Sequence, residues 1–174
     1  MFLNRIAPAV AAIALMSAVT LAQGAKPTDP QIAHIAYTAG VLDITAAQQA
    51  LKKTQNAEVR SFAEGMIKDH ETVNKLALDL VAKLKVTPED NDTSRGLTKA
   101  ADAKRAELEK LSGAAFDKAY MANEVAYHKT VNGALEKTLI PSSQNAELKA
   151  LLQKGLKIFQ GHEKHAESVV AKLK

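Results

Sequence analysis

Four long stretches of this chain space their apolar residues three or four apart, and no stretch alternates with period two. That rules out a sheet and leaves packed helices as the way to bury the apolar stripes. The first stretch runs from about 30 to 53 and carries Ile32, Ile35, Ala39, Leu42 and Ala46. Asp29 and Pro30 read as its start, a side-chain acceptor followed by a residue suited to a first turn. Asn56 reads as the cap of the second, whose seam passes through Val59, Phe62, Met66, Asp69, Val73, Leu76 and Leu80. The third spans about 114 to 139 and the fourth about 145 to 173.

The breaks decide how these helices connect. Residues near 54–56 and 140–144 make short links, which implies two antiparallel hairpins. Between the hairpins, VTPEDNDTSRG is rich in turn formers, and a shorter charged helix follows over about 95–111. A weak internal repeat supports the division: TQNAEV at 54–59 returns as SQNAEL at 143–148, and DHE at 69–71 as GHE at 161–163. The expected fold is all-α, a ferritin-like up-down four-helix bundle over 30–174 with one additional short helix in the long crossover.

The first 24 residues stand apart. They join a single positive charge (Arg5), an apolar run and small residues at a cleavage position, the layout of a signal peptide. Cleavage after Ala22 or Gly24 would release a periplasmic or secreted chain, with 25–29 as a linker. No other stretch is apolar for long enough to span a bilayer. With no cysteine, an exported chain of this size must hold itself together by packing. The net charge of +4 is spread over alternating lysines and acids, and tryptophan is absent, so neither a nucleic-acid patch nor a stacking platform is expected. A homo-oligomer stays open.

The chemistry lies in polar residues beside the apolar stripes. Measured from the hairpin turns at roughly 1.5 Å per residue, Asp43, His70, Glu124, His128 and His162 all lie at roughly 18–25 Å. If both turns lie at the same end, these five share one slab, and His34 and His165 sit together nearer the other end. Imidazole with carboxylate is a ligand set for zinc, iron or copper, and bundles build metal sites from facing helices. The Glu-x-x-His pairs of di-iron bundles are absent; Glu124-x-x-x-His128 and His162-x-x-His165 stand instead. The competing and simpler reading is histidines hydrogen-bonded to carboxylates or Tyr hydroxyls, with no ion. No glycine-rich phosphate loop, serine elbow or cysteine nucleophile is present.

The phrases VRSFAEGMIKDHE, LSGAAFDKAYMANEVAYHKTV and GHEKHAESV, in this order, resemble a family of exported bacterial ferritin-like proteins of unknown function that carries an outer-membrane label. The likeness covers nearly all of residues 30–173. It implies a cell-envelope four-helix bundle, with the family pattern falling on Asp69, His70, Phe116, Asp117, Tyr120, His128 and His162. Asp69, next to His70, would orient that ring, and Asp117 and Tyr120 would likewise support the ligands from behind. The family's helix one carries a glutamate where Asp43 stands here, and its proline before the last histidine is replaced by Ile158-Phe159. An outer-membrane barrel has no support in these residues. Three functions follow as expectations: a non-enzymatic binder of a metal ion or small ligand in envelope stress, a degenerate oxidase or peroxide-handling enzyme, or an interaction module with a structural polar layer.

Overall fold

The structure, a computed structural model, describes residues 26–173, and the expected signal peptide lies outside them. Among the described residues the chain is all-α. Helices α1 (Asp29–Lys53), α2 (Ala57–Leu84), α3 (Asp92–Glu109), α4 (Gly113–Ala134), α5 (Ile140–Ser142) and α6 (Ala146–Lys172) follow in order. A five-residue π-turn, Leu135–Leu139, joins α4 to α5. Pro141 has no N–H with which to close a regular helical ladder, and the wider turn lies just before it. The third predicted helix, about 114–139, is therefore α4 ending in a π-turn, and α5 continues beyond it.

The starts of α2 and α6 explain the internal repeat. Asn56 accepts from the backbone N–H groups of Glu58 and Val59, and Asn145 accepts from those of Glu147 and Leu148. The repeated QNAE phrase is thus the same helix cap used twice, each worth about 1 kcal/mol. At α1 the cap is Thr28 and not Asp29: Thr28 and Gln31 form a reciprocal capping box. Asp29 turns its carboxylate to the second hairpin, where it accepts from the N–H groups of Gln144 (2.9 Å) and Asn145 (2.7 Å). Gly113 takes φ +53 at the turn into α4, a conformation that suits glycine.

That Asp29 contact fixes the topology. The second hairpin turn lies beside the start of α1, so the two turns are at opposite ends of the bundle and not at the same end. The crossover accounts for this. Asn91 reaches the Gln31 carbonyl at one end of α1, and Gln49 and Lys53 reach the Arg105 and Glu109 carbonyls at the other. Helix α3 therefore carries the chain back along α1 before α4 begins. Around the bundle α1 packs on α2 and α4, and α6 packs on the same two. Each of these neighbours is antiparallel, as the end-to-end pairs Lys83–Glu147 and Lys172–Glu58 also require.

Two apolar clusters fill the interior. One, toward the first turn, contains Ala47, Val59, Phe62, Met66, Phe116, Tyr120, Met121 and Val169. The other, toward the second turn, contains Ile32, Ile35, Leu135, Leu139, Leu148, Leu152 and Phe159. On the helices between them stand buried Asp43, His70, Glu124, His128 and His162. The core is split by a polar layer. His34 and His165 are outside it and at opposite ends, contrary to expectation: His34 borders the groove with Asp90 and Ser94 at the start of α3, and His165 lies edge-on to Phe62.

Candidate metal centre

Each of the four long helices contributes to the layer: Asp43 from α1, His70 from α2, Glu124 and His128 from α4, His162 from α6. Their inward placement follows from helical spacing. Along α6 the buried row is Leu148, Leu152, Gly155, Phe159, His162, Ala166, Val169, as the sequence predicts. Along α2 the buried row is Val59, Phe62, Ala63, Met66, His70, Asn74. The seam thus runs through His70, and Asp69 stands at its flank, half-buried. The layer survives the reversal of the second hairpin because all five residues are near mid-helix, where height changes little on inversion.

A close approach sets the spacing of α1 and α2. A Cβ at Gly40 would fall 2.3 Å from Asn74 Oδ1. Gly40 is one turn from Asp43 and Asn74 one turn from His70, so this bare backbone lets the two side chains meet. Tyr127 donates from its hydroxyl to the Ala39 carbonyl at 2.9 Å, tying α4 to α1 at the same level. Asn132 donates to Glu163 at 2.8 Å and ties α4 to α6.

The distances within the layer are short. Asp43 Oδ2 lies 3.1 Å from His70 Nε2 and 3.4 Å from His128 Nε2. Donor atoms around a four-coordinate ion with ~2.0–2.1 Å bonds lie about 3.3 Å apart, so these are ligand-to-ligand spacings as well as ion-pair ones. The ring centroids of His70, His128 and His162 are 5.3–6.1 Å from one another. His70, His128 and His162 can bring one donor atom each within 4.8 Å, and so can Asp43, Glu124 and His128.

Two of the imidazoles have their tautomer set from outside. His128 Nδ1 donates to the Glu124 carbonyl at 2.9 Å, which leaves the Nε2 lone pair toward Asp43 in the neutral ring. His162 Nε2 lies 3.0 Å from Asp69 Oδ2, where it donates, and its buried Nδ1 is left free. A ring N–H held by carboxylate or carbonyl is how proteins prepare imidazole for ligation. Asp69, expected to support His70, supports His162; the carboxylate nearest His70 is Asp43. The His70 ring itself is stacked on Phe159 at 4.6 Å with an interplanar angle of 8°.

Eight buried atoms of the layer make no well-formed hydrogen bond: Asp43 Oδ2, His70 Nε2 and His128 Nε2, which meet only as ion-pair contacts, and Asp43 Oδ1, both oxygens of Glu124, His70 Nδ1 and His162 Nδ1. Orphans of this kind are rare in native interiors and cost about 1–3 kcal/mol each. The electrostatics match. Burial opposes ionisation of Asp43, but His70 and His128 beside it hold its carboxyl below the usual value. Burial and then the Asp43 charge push Glu124 well above its usual value, so the proton of the pair sits on Glu124. Burial lowers His128 and His162 against the opposing pull of Asp43 and Asp69, which favours neutral, ligating rings.

The remaining sequence candidates divide. Tyr120 is fully buried one turn from Glu124, stacked on Phe116 with its hydroxyl unpartnered; burial and then the Glu124 charge raise it. Asp117 is buried but two turns from Glu124, about 10 Å along the helix, and no hydrogen bond or ion pair among the described residues joins it to the layer. Asn74 and Asn132 went unremarked in the sequence. The signal was there: each follows a layer histidine by four residues, on the inward row.

Known proteins place this arrangement in context. No curated protein matches the chain. A DUF305 protein from Streptomyces coelicolor, described as secreted, superposes with a TM-score of 0.70 at 11% identity, over 82% of this chain and 91% of that one. A DUF305 fragment from Deinococcus radiodurans gives 0.71 at 14% identity, over 84% and 99%. CopM in its Cu(II)-bound form gives 0.65 at 13% identity, over 86% and 99%. These likenesses are of fold. Residues 14–169 match the family described as a domain of unknown function, DUF4142, and the chain belongs to that family.

Proposed function

We propose that this is an exported, non-enzymatic protein that binds a first-row transition ion, copper or zinc ahead of iron, between its four helices. His70, His128 and His162 supply nitrogen, and Asp43 supplies an oxygen. The observation that carries this reading is one layer of eight buried donor and acceptor atoms without a well-formed hydrogen bond, two of them, His70 Nε2 and His128 Nε2, crowded at 3.1–3.4 Å around Asp43 Oδ2. A layer that only fixed helix register would be expected to satisfy its members, because a half-satisfied buried network is worse than an apolar core. The three-imidazole set suits copper and zinc better than iron. The fold likeness to a Cu(II)-bound protein is consistent with copper. Export rests on the signal-like residues 1–24 and on the likeness to a protein described as secreted. No helix among the described residues is long and apolar enough to cross a membrane.

The test is metal content. Mature chain purified without a histidine tag, loaded with Cu(II) or Zn(II) and passed through gel filtration, is expected to retain stoichiometric metal. His128→Gln is expected to retain none. Equal retention by both proteins would place the metal elsewhere, and no retention by either would remove the reading.

A further inference from the structure

His128 has a single lone pair to give. Its Nδ1–H is held by the Glu124 carbonyl, so the neutral ring ligates through Nε2 alone. Yet His128 belongs to both donor groups in the layer. With His70 and His162 it forms an all-nitrogen triad, and with Asp43 and Glu124 it forms an oxygen-rich one. Nδ1 is also the ring nitrogen at 3.8 Å from Glu124 Oε2, but while the carbonyl holds it both triads have only the one free lone pair, on Nε2, to draw on.

We propose that the layer has two overlapping stations for one ion, an imidazole station for copper or zinc and a carboxylate station for a harder ion such as Mn(II) or Fe(II), which exclude each other because they share His128. The inference rests on the metal-binding reading above and deepens it. Donor chemistry divides the stations: imidazole suits zinc and copper, and carboxylate oxygens suit manganese. Asp43 stands between them, its Oδ2 near both His70 Nε2 and His128 Nε2. Both Glu124 oxygens are buried without a well-formed hydrogen bond, which leaves that carboxylate available to an ion. Two-metal centres separate their ions by about 3.5–4 Å and need ligands enough for each, which a neutral, non-bridging imidazole does not give. The layer is a single-ion device that sorts ions by hardness.

Calorimetric titration of tag-free mature chain with Zn(II) and with Mn(II), singly and in competition, tests this. Wild type is expected to bind one ion of either kind, with Zn(II) displacing Mn(II). Glu124→Gln is expected to weaken Mn(II) on the order of tenfold or more while leaving Zn(II) within about threefold, and His162→Ala to do the reverse. Circular dichroism melts of the apo variants check that each is folded, and the wild-type stoichiometry stands whether or not they are. Zn(II) and Mn(II) bound together, no Mn(II) binding beside intact Zn(II) binding, or parallel losses for both ions in both variants would each overturn the two-station proposal alone. Failure of wild type to bind either ion would overturn the metal-binding reading itself.

Discussion

His162 donates from Nε2 to Asp69 Oδ2 at 3.0 Å, and the pair decides which nitrogen of His162 is turned to the centre of the bundle. Among the three imidazoles of the layer, His162 is the most accessible, with its side chain 11% exposed beside a 44% exposed carboxylate. The α2–α6 seam is therefore where the layer comes nearest to water.

Asp69→Asn keeps an acceptor for the ring N–H but removes the charge. Because the pair is partly solvated, stability of the apo protein is expected to change by less than about 1 kcal/mol. Zn(II) affinity is expected to fall by roughly tenfold, the usual loss when a ligand's outer partner is weakened. Isothermal titration beside a denaturant melt separates the two effects, and an unchanged affinity would deny Asp69 the role.

Gly40 is where α1 and α2 come closest. Gly40→Ala would drive a methyl into Asn74 Oδ1, 2.3 Å from the new Cβ, and is expected to destabilise by about 1–3 kcal/mol. Adding Asn74→Ala should recover much of that loss, because the two residues are in contact and their effects do not add. Urea melts of the two single variants and the double variant check this.

The apo protein should be most stable over a limited pH range. His128 and His162 have folded values lowered from 6.5, so their contribution is present above that value and is lost as pH falls through the folded values. Glu124 has a folded value raised from 4.5, so its contribution is present below 4.5 and is lost as pH rises through the folded value. Melting temperature against pH should decline on both sides. Glu124→Gln should flatten the alkaline decline and leave the acid one; an unchanged alkaline limb would remove Glu124 as its cause.

The repeated caps should be equivalent. Asn56→Ala and Asn145→Ala remove the same pair of hydrogen bonds from α2 and α6, and each is expected to cost about 1 kcal/mol in a urea melt.

Much of the fold was legible because the helices are long and their caps are local. The apolar row from Leu148 to Val169 and the Asn56 cap follow from spacing and side-chain chemistry within a few residues. What could not be read were facts that depend on the far side of the bundle. Asp29 looked like a helix cap because its real partners, Gln144 and Asn145, are more than a hundred residues away. Whether the turns share an end could not be read either, because only the path of α3 along α1 sets the direction of the second hairpin. Asp69 looked like a partner of its neighbour His70, yet successive residues on a helix point apart, and only packing of α6 brings His162 within its reach. The mid-helix heights of Asp43, His70, Glu124, His128 and His162 are insensitive to which end the second turn occupies, so either arrangement brings them to one level.

The central claim is that the layer holds an ion between His70, His128 and His162. The most direct measurement is an anomalous difference map from crystals of the zinc-loaded mature chain, recorded at the zinc absorption edge. The account predicts one strong peak inside the bundle, about 2.0–2.1 Å from His128 Nε2 and from His162 Nδ1. A loaded crystal with peaks only on the surface, or with none, would contradict it.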